Sequence, residues 1–481
     1  MLAVGAETGV SGFRFPVSGF RFPETRNLKP KGWQSVRELD ATSPLLTIDQ
    51  TTNHPTGYHR VLILMEPAMN PELDAAVAQP YESSPYATLV LNLGRALLRV
   101  GSPAHRLESA MQIMAERLGL TAEFFCTPTA LIASLGDGNR QQTYLARVEP
   151  GGPDLGKLSE LTEVMEALAS GALDPVAADA RVREIDARPA HHRGVTLLMA
   201  YVLVSAGACT LIGGGWREAI LAGLLGSITG TSVLLLWKRA ELSRLLNPLS
   251  AGLVTLVGTL WCGLDPQTAL MPAVIAGMIT LVPGMELTAA TRELATGHQV
   301  SGAARLASTI VVFALLTVGL ALGSWVAQQF TGPVPLVPAS ALPGWLVPVG
   351  LATAALGFVV LFQAFWRDWI WIVLACLLAW TTSNFGGLLG SPVLAAFIGA
   401  LMVGIAGNLY ARWSKRPGSI MHLPGLILLV PGSIGMRSLS ALVSQDLLSG
   451  IETGFLAIMI AVALATGLIL ASAMVPPRTS L

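Results

Sequence analysis

From about residue 194 to residue 474 long apolar runs alternate with short polar breaks, and ahead of residue 194 they do not. About 20 apolar residues suffice for a helix to cross the hydrocarbon core of a bilayer. Ten runs are expected to cross, at about 194–214, 217–237, 248–264, 267–283, 304–327, 344–365, 369–383, 390–411, 420–432 and 451–474. The seventh and ninth are short, which predicts broken or tilted helices there. The fourth run closes on Leu281-Val282-Pro283-Gly284 and the ninth on Leu429-Val430-Pro431-Gly432. Proline lacks a backbone donor and clashes with the turn before it, and glycine readily leaves helical angles. Backbone freed inside a bilayer needs protein or a wet cavity to satisfy it.

Ahead of the apolar runs the periodicity is that of a polar domain at 81–193. Leu89, Leu91, Leu93, Leu97 and Leu98 predict an amphipathic helix over about 85–101. A second is expected from Ser102 as cap and Pro103 at the first helical position to Leu118, stopping at Gly119. Its apolar stripe is Leu107, Met111, Met114 and Leu118, and its other face gathers His105, Glu108, Gln112 and Glu116. Three strands follow, Thr121–Cys126, Thr129–Leu135 and Gln142–Val148, the last two joined by a Gly136-Asp137-Gly138-Asn139 turn. Charged helices over about 155–172 and 175–187 complete an α+β domain. Residues 1–80 read as a disordered tail that carries GFRFP twice, has no apolar core of signal-peptide length, and offers Met65 and Met69 as alternative starts.

Composition sharpens the class. The chain is 52% hydrophobic and 12% charged, against about 25% charged in soluble domains, so it is an integral membrane protein. Lys+Arg and Asp+Glu balance at 30 each, which argues against a nucleic-acid partner held through phosphate charge. Cys126, Cys209, Cys262 and Cys376 show neither CxxC nor Cys/His ligand spacing, so no metal, disulfide or cofactor is expected.

Basic residues set the orientation. Lys238, Arg239, Arg244, Arg292, Arg305, Arg367, Arg412, Lys415, Arg416 and Arg478 fall in one set of loops, and Arg217 and Arg437 in the other. Ten against two predicts cytoplasmic N- and C-termini. The segment Arg188–Arg193 fits a juxtamembrane orientation signal.

The expected fold is a multi-span α-helical membrane protein of ten spans with an N-terminal cytoplasmic α+β domain. The spans divide into five-span repeats at 194–327 and 344–481 around a Pro-rich linker at 328–343. An odd number per half inverts the second copy, which places the first Val-Pro-Gly towards the cytoplasm and the second towards the outside. Inverted repeats with matched helix breaks are a signature of transporter binding sites.

Candidate residues follow from that frame. Pro283, Gly284, Pro431 and Gly432 would open helix starts whose free N–H groups and positive dipole end receive a carboxylate. Thr288, Ser433 and Asn408 would add polar contacts, although helix-to-helix bonding is the commoner role for a buried Asn. Glu286 is the candidate proton carrier, as an ionisable group beside a break at the edge of hydrocarbon; an interfacial pair with Arg292 or Arg305 is the competing reading. Asp265 is a second candidate, although Asp-Pro is ordinary turn chemistry. His105, Arg106 and Glu108 are the candidates for chemistry in the polar domain, which also admits a hydrolase, but no HExxH or GxSxG accompanies them. Gly223/Gly226/Gly230 and Gly399/Gly404/Gly407 read as close helix contacts.

Several stretches carry a family likeness: Leu98-Arg99-Val100-Gly101-Ser102-Pro103-Ala104-His105-Arg106-Leu107-Glu108, Phe124–Thr129, and both Leu-Val-Pro-Gly motifs, in order over about residues 85–475. The chain resembles the bacterial threonine/serine exporters. The resemblance implies a proton-driven exporter of small hydroxy amino acids in the bacterial inner membrane, with substrate, protons and lipid as partners. Two-chain relatives imply a dicarboxylate such as succinate as the alternative cargo. Oligomeric state is left open.

Overall fold

The computed structural model describes residues 85–136, 141–149, 151–236, 240–334, 337–340, 342–388, 390–429, 432–443 and 446–477. The tail, the 137–140 turn, Val430 and Pro431 lie outside them. Residues Glu82–Leu481 form one compact unit.

The polar domain comprises α1 (Pro85–Arg99), α2 (Ala104–Arg117), β1 (Thr121–Thr127), β2 (Ala130–Gly136), β3 (Gln141–Arg147), α3 (Leu155–Ala169) and α4 (Pro175–Ala187). The strands form an antiparallel sheet in the order β1-β2-β3. The second helix starts one residue later than expected: Pro103 itself is the cap, with no side-chain bond from Ser102. Gly119, at φ 71°, turns the chain out of it. Leu89, Leu93, Leu97, Leu107, Met111 and Leu131 are almost wholly buried, and their cluster continues into Phe358, Phe362 and Ile420 of the spans. The polar domain is therefore seated on the membrane region through a shared apolar core. Backbone bonds fix the seat, with Leu155 and Gly156 N–H groups donating to the carbonyls of Phe362 and Gln363 (2.9 and 3.2 Å). Gln363, held at φ 52°, exchanges two hydrogen bonds with the backbone of His192.

The first half of the membrane region contains α5 (Val195–Leu211), α6 (Trp216–Leu236), a short α7 (Ala240–Ser243), α8 (Leu246–Leu264), α9 (Leu270–Gly277), α10 (Gly284–Ala295) and α11 (Gln299–Thr331). The second contains α12 (Val347–Leu361), α13 (Trp369–Gly387), α14 (Pro392–Ser414), α15 (Ser419–Leu429), α16 (Gly432–Val443) and α17 (Leu447–Met474). Among the described residues eight segments, counting α15 and α16 as one, are helical, long and apolar enough to cross a membrane. The 17-residue α5 is a shorter apolar helix, and the expected fourth crossing is divided between α9 and α10. Exposed Trp216, Trp325 and Trp345 mark one end of the bundle, and Trp366 and Trp413 the other, as interfacial aromatic belts do.

The halves pack alike. In each, the fifth span lies along the third, and the first half of the broken fourth span lies against the second. The two first spans, α5 and α12, run antiparallel: Thr210 meets Gly350, Gly207 meets Ala354, and Val204 meets Gly357. That pairing is what an inverted repeat requires. Two loops at one end of the bundle are tied by the buried Glu218, which accepts hydrogen bonds from the N–H groups of Gly215 and Ala269 (2.9 and 2.8 Å).

Three expectations are corrected. The seventh span is an unbroken 19-residue helix; the fourth is the interrupted one among the described residues. Each Pro-Gly motif also lies midway along its run, because a further 12-residue helix follows it. The breaks consequently do not face opposite sides of the membrane. Finally, α11 runs on to Thr331, into the stretch expected to be linker.

Candidate functional site

The two Pro-Gly motifs meet at Gly432. A Cβ built on Gly432 would lie 3.0 Å from Val282 Cγ1 and 3.8 Å from Gly284 Cα. The reason is local. Around the first break the backbone unwinds from Met278 to Pro283 in successive tight turns, and glycine at the contact lets the two backbones approach. Pro431 lies outside the described residues.

Beside this crossing, on the side carrying the polar domain, is a cavity of about 140 Å³. A single water needs roughly 10–15 Å³ on that measure, so a solute of several heavy atoms fits. Its polar walls include the α1–α2 corner with His105 and Arg106, α10 with Glu286, Thr288 and Arg292, α15 with Ser419 and His422, and Asp154 and Arg305.

Charge around this cavity is unevenly answered. Glu293, fully buried, accepts from Ala104 N–H (3.1 Å), Ser301 Oγ (2.9 Å) and two nitrogens of Arg305 (3.1 and 3.2 Å). Arg305 also donates to Glu286 at 2.6 Å, so one guanidinium serves two carboxylates. Glu108 accepts from Cys126 N–H (2.7 Å) and faces His298 Nε2 (3.0 Å). Arg106 donates to Ser419 Oγ (3.1 Å) and lies 3.1 Å from His422 Nδ1. That nitrogen therefore accepts, and His422 Nε2–H donates to the Gly404 carbonyl (3.2 Å), which makes the ring neutral. Among the described residues neither Arg106 nor Arg292 forms an ion pair, and Arg292 Nε has no hydrogen-bond partner. Burial alone lowers the Arg106 pKa to about 10. His105 has both ring nitrogens buried and unpartnered. Its pKa is pushed down to about 2, first by burial and then by the charges of Arg292 and Arg106.

A second chamber, of about 490 Å³, lies on the other side of the crossing and is lined by Thr280, Ser383, Leu429, Ser433, Ile434 and Arg437 among others. Met285 and Leu426 at the wall of the first cavity, and Leu429 and Ile434 at the wall of the second, belong to one apolar cluster. Apolar packing thus separates the two chambers.

The residues singled out in sequence divide accordingly. Glu286 and Thr288 line the first cavity and Ser433 the second, while Gly284 and Gly432 form the contact between the breaks. Thr288 Oγ1 donates to the Gly284 carbonyl (3.3 Å). Of the polar-domain candidates, His105 and Arg106 line the cavity, and Glu108 stands beside it on His298. Asn408 lines neither chamber; its Nδ2 donates to the Val475 carbonyl (2.8 Å). Asp265 sits at the C-terminal end of α8 on Arg217 (2.9 Å), and the Thr268 hydroxyl, ahead of Gln267 N–H and Arg217, holds its carboxyl below the usual range. The stripes Gly223/Gly226/Gly230 and Gly399/Gly404/Gly407 do carry close helix contacts. Sequence reasoning missed Ser419 and His422. The available signal was a histidine inside an apolar run, which is costly unless it has a task.

Two family models match, "Putative threonine/serine exporter" over residues 88–326 and "Threonine/Serine exporter, ThrE" over 349–474. The threonine/serine exporter of Corynebacterium glutamicum is 25% identical over 328 residues, 65% of this chain and 66% of that protein. Pheromone-regulated membrane protein 10 of Debaryomyces hansenii is 25% identical over 383 residues, 76% of this chain and 37% of its own length. That of Kluyveromyces lactis is 23% identical over 414 residues, 81% and 43% respectively. The chain thus spans just under two thirds of the bacterial relative and less than half of these yeast ones. No solved structure matches.

Proposed function

The chain belongs to the threonine/serine exporter family, and from that premise we propose that it is a secondary exporter of small hydroxy amino acids such as threonine and serine, driven by the proton gradient. The observation that carries this reading is the contact between Gly432 and Val282 with a chamber on either side. A solute held next to two meeting helix breaks needs only a small rearrangement of the apolar packing around Met285 and Ile434 to exchange one chamber for the other. The polar domain and both termini lie in the cytoplasm of a bacterial inner membrane in this reading, in keeping with the basic loops.

Glu286 is the proton carrier we infer. Its carboxylate lines the cavity and competes with Glu293 for Arg305. A proton on Glu286 neutralises one of the two carboxylates facing that guanidinium and leaves Arg305 to the buried Glu293, which loosens α10 from its resting geometry. Asp265 suits the task less, because a carboxylate stabilised as the anion in an outer loop resists protonation. The substrate side consists of Gly284, Thr288, Gly432 and Ser433, with Pro283 making the first break and Pro431 holding the matching place in the second motif.

The test uses the full chain in proteoliposomes loaded with labelled threonine under an imposed pH gradient. Efflux faster than from empty-vector vesicles, abolished by collapsing the gradient, is expected. Gradient-driven efflux that persists unchanged in Glu286→Gln removes that residue from coupling. A dicarboxylate such as succinate is the second reading, favoured by the two unanswered guanidiniums in the cavity; competition between succinate and threonine for efflux separates the two.

A further inference from the structure

We propose that Arg106 and Arg292 together form a carboxylate-binding station shared between the polar domain and the first broken helix, so that the polar domain supplies half of the substrate site. The two side chains come from elements far apart in sequence and line the same cavity. A buried guanidinium is expensive without a counter-ion, and the nearby carboxylates are committed elsewhere. Glu286 and Glu293 bind Arg305, Glu108 faces His298, and Asp154 caps α3 by accepting from Lys157 N–H at 2.8 Å. His105 and His422 add no negative charge. Arg106 and Arg292 are therefore the two cavity cations with no ion-pair partner among the described residues.

Carboxylate is the chemistry that fits. Guanidinium donors are planar forks that match its two oxygens, and Arg292 presents an Nε with no partner. Arg106 is pre-oriented by Ser419 and His422, whose neutral ring positions the guanidinium without competing for its charge. A ligand bridging Arg106 and Arg292 also ties α2 to α10, beside the existing Ala104–Glu293 bond. Occupancy of the cavity is in this way sensed by the seating of the polar domain. The role in transport rests on the exporter reading; the existence of the station does not.

The experiment is equilibrium binding and thermal melting of the full-length protein in nanodiscs, with labelled threonine, and with threoninamide, succinate and inorganic phosphate as competitors. Threonine should bind and raise the melting temperature, and threoninamide, which lacks the carboxylate, should compete at least ten-fold less well. Arg106→Gln and Arg292→Gln should each weaken carboxylate binding about ten- to hundred-fold, the span of one hydrogen-bonded ion contact. Arg292→Lys should recover part of the loss. Both glutamine variants should also melt higher than the parent when ligand-free, because an unanswered buried charge is gone; a merely structural arginine would melt lower. Binding within two-fold of the parent in both glutamine variants overturns the proposal, as does competition by phosphate without competition by either carboxylate. Arginine-dependent binding of succinate without threonine efflux would instead sink the amino-acid reading and leave the station standing.

Discussion

Gly432 stands against Val282, one residue short of the first Pro-Gly break, with room for hydrogen and little more: a Cβ there would lie 3.0 Å from the valine Cγ1. The pair joins the start of α16 to the segment just before the first break. We expect Gly432→Ala to fold with a small loss of stability and slowed efflux, and Gly432→Val to cost about 1–3 kcal/mol by overpacking and to stop efflux. Nanodisc melting and proteoliposome flux measure the two effects separately. Normal flux in Gly432→Val would show that the contact plays no part in transport.

Glu293 is the carboxylate with the heaviest structural load. It answers Arg305, holds Ser301 and receives the Ala104 N–H of the polar domain. Glu293→Ala strands a half-buried arginine, and removing one partner of a buried pair typically costs about 3–5 kcal/mol. Yield and melting temperature should collapse in Glu293→Ala and fall less in Glu293→Gln, which keeps acceptor capacity for Arg305. Equal stability of both variants with the parent would contradict the network as described.

Stability should depend on His105 in mild acid. The unfolded histidine titrates near 6.5 and the folded one near 2, so between these values the unfolded chain binds a proton that the folded chain refuses. Stability is therefore full above about pH 6.5 and declines as pH falls below it, with a slope approaching about 1.4 kcal/mol per pH unit. His105→Gln should melt with a shallower dependence between pH 6.5 and 5. Identical pH profiles for the two proteins would refute a neutral, buried His105.

Asn408 should prove to be a fastener. Its amide closes on the Val475 carbonyl at the end of α17, a bond worth about 1 kcal/mol. Asn408→Leu should lower the melting temperature slightly and leave the threonine concentration for half-maximal efflux unchanged. A several-fold shift in that concentration would return the residue to the substrate path.

The sequence by itself determined the class, the α+β character of the polar domain and the first break point. Each follows from local rules: apolar run length against bilayer thickness, alternation in strands, and the backbone chemistry of Pro-Gly. The strands β1 to β3 lie within a residue or two of where alternation placed them. The fourth crossing was misjudged because α10 carries Glu286, Arg292 and Glu293, which read as a polar loop until their partners are seen. Only the tertiary structure decided that the breaks meet, that Arg305 and not Arg292 answers Glu286, and that Arg106 enters the same cavity as Arg292. These are contacts between segments more than a hundred residues apart or competitions among near-identical side chains. Neither kind has a local pattern, because which cation ends unpaired depends on where every other carboxylate has already been used.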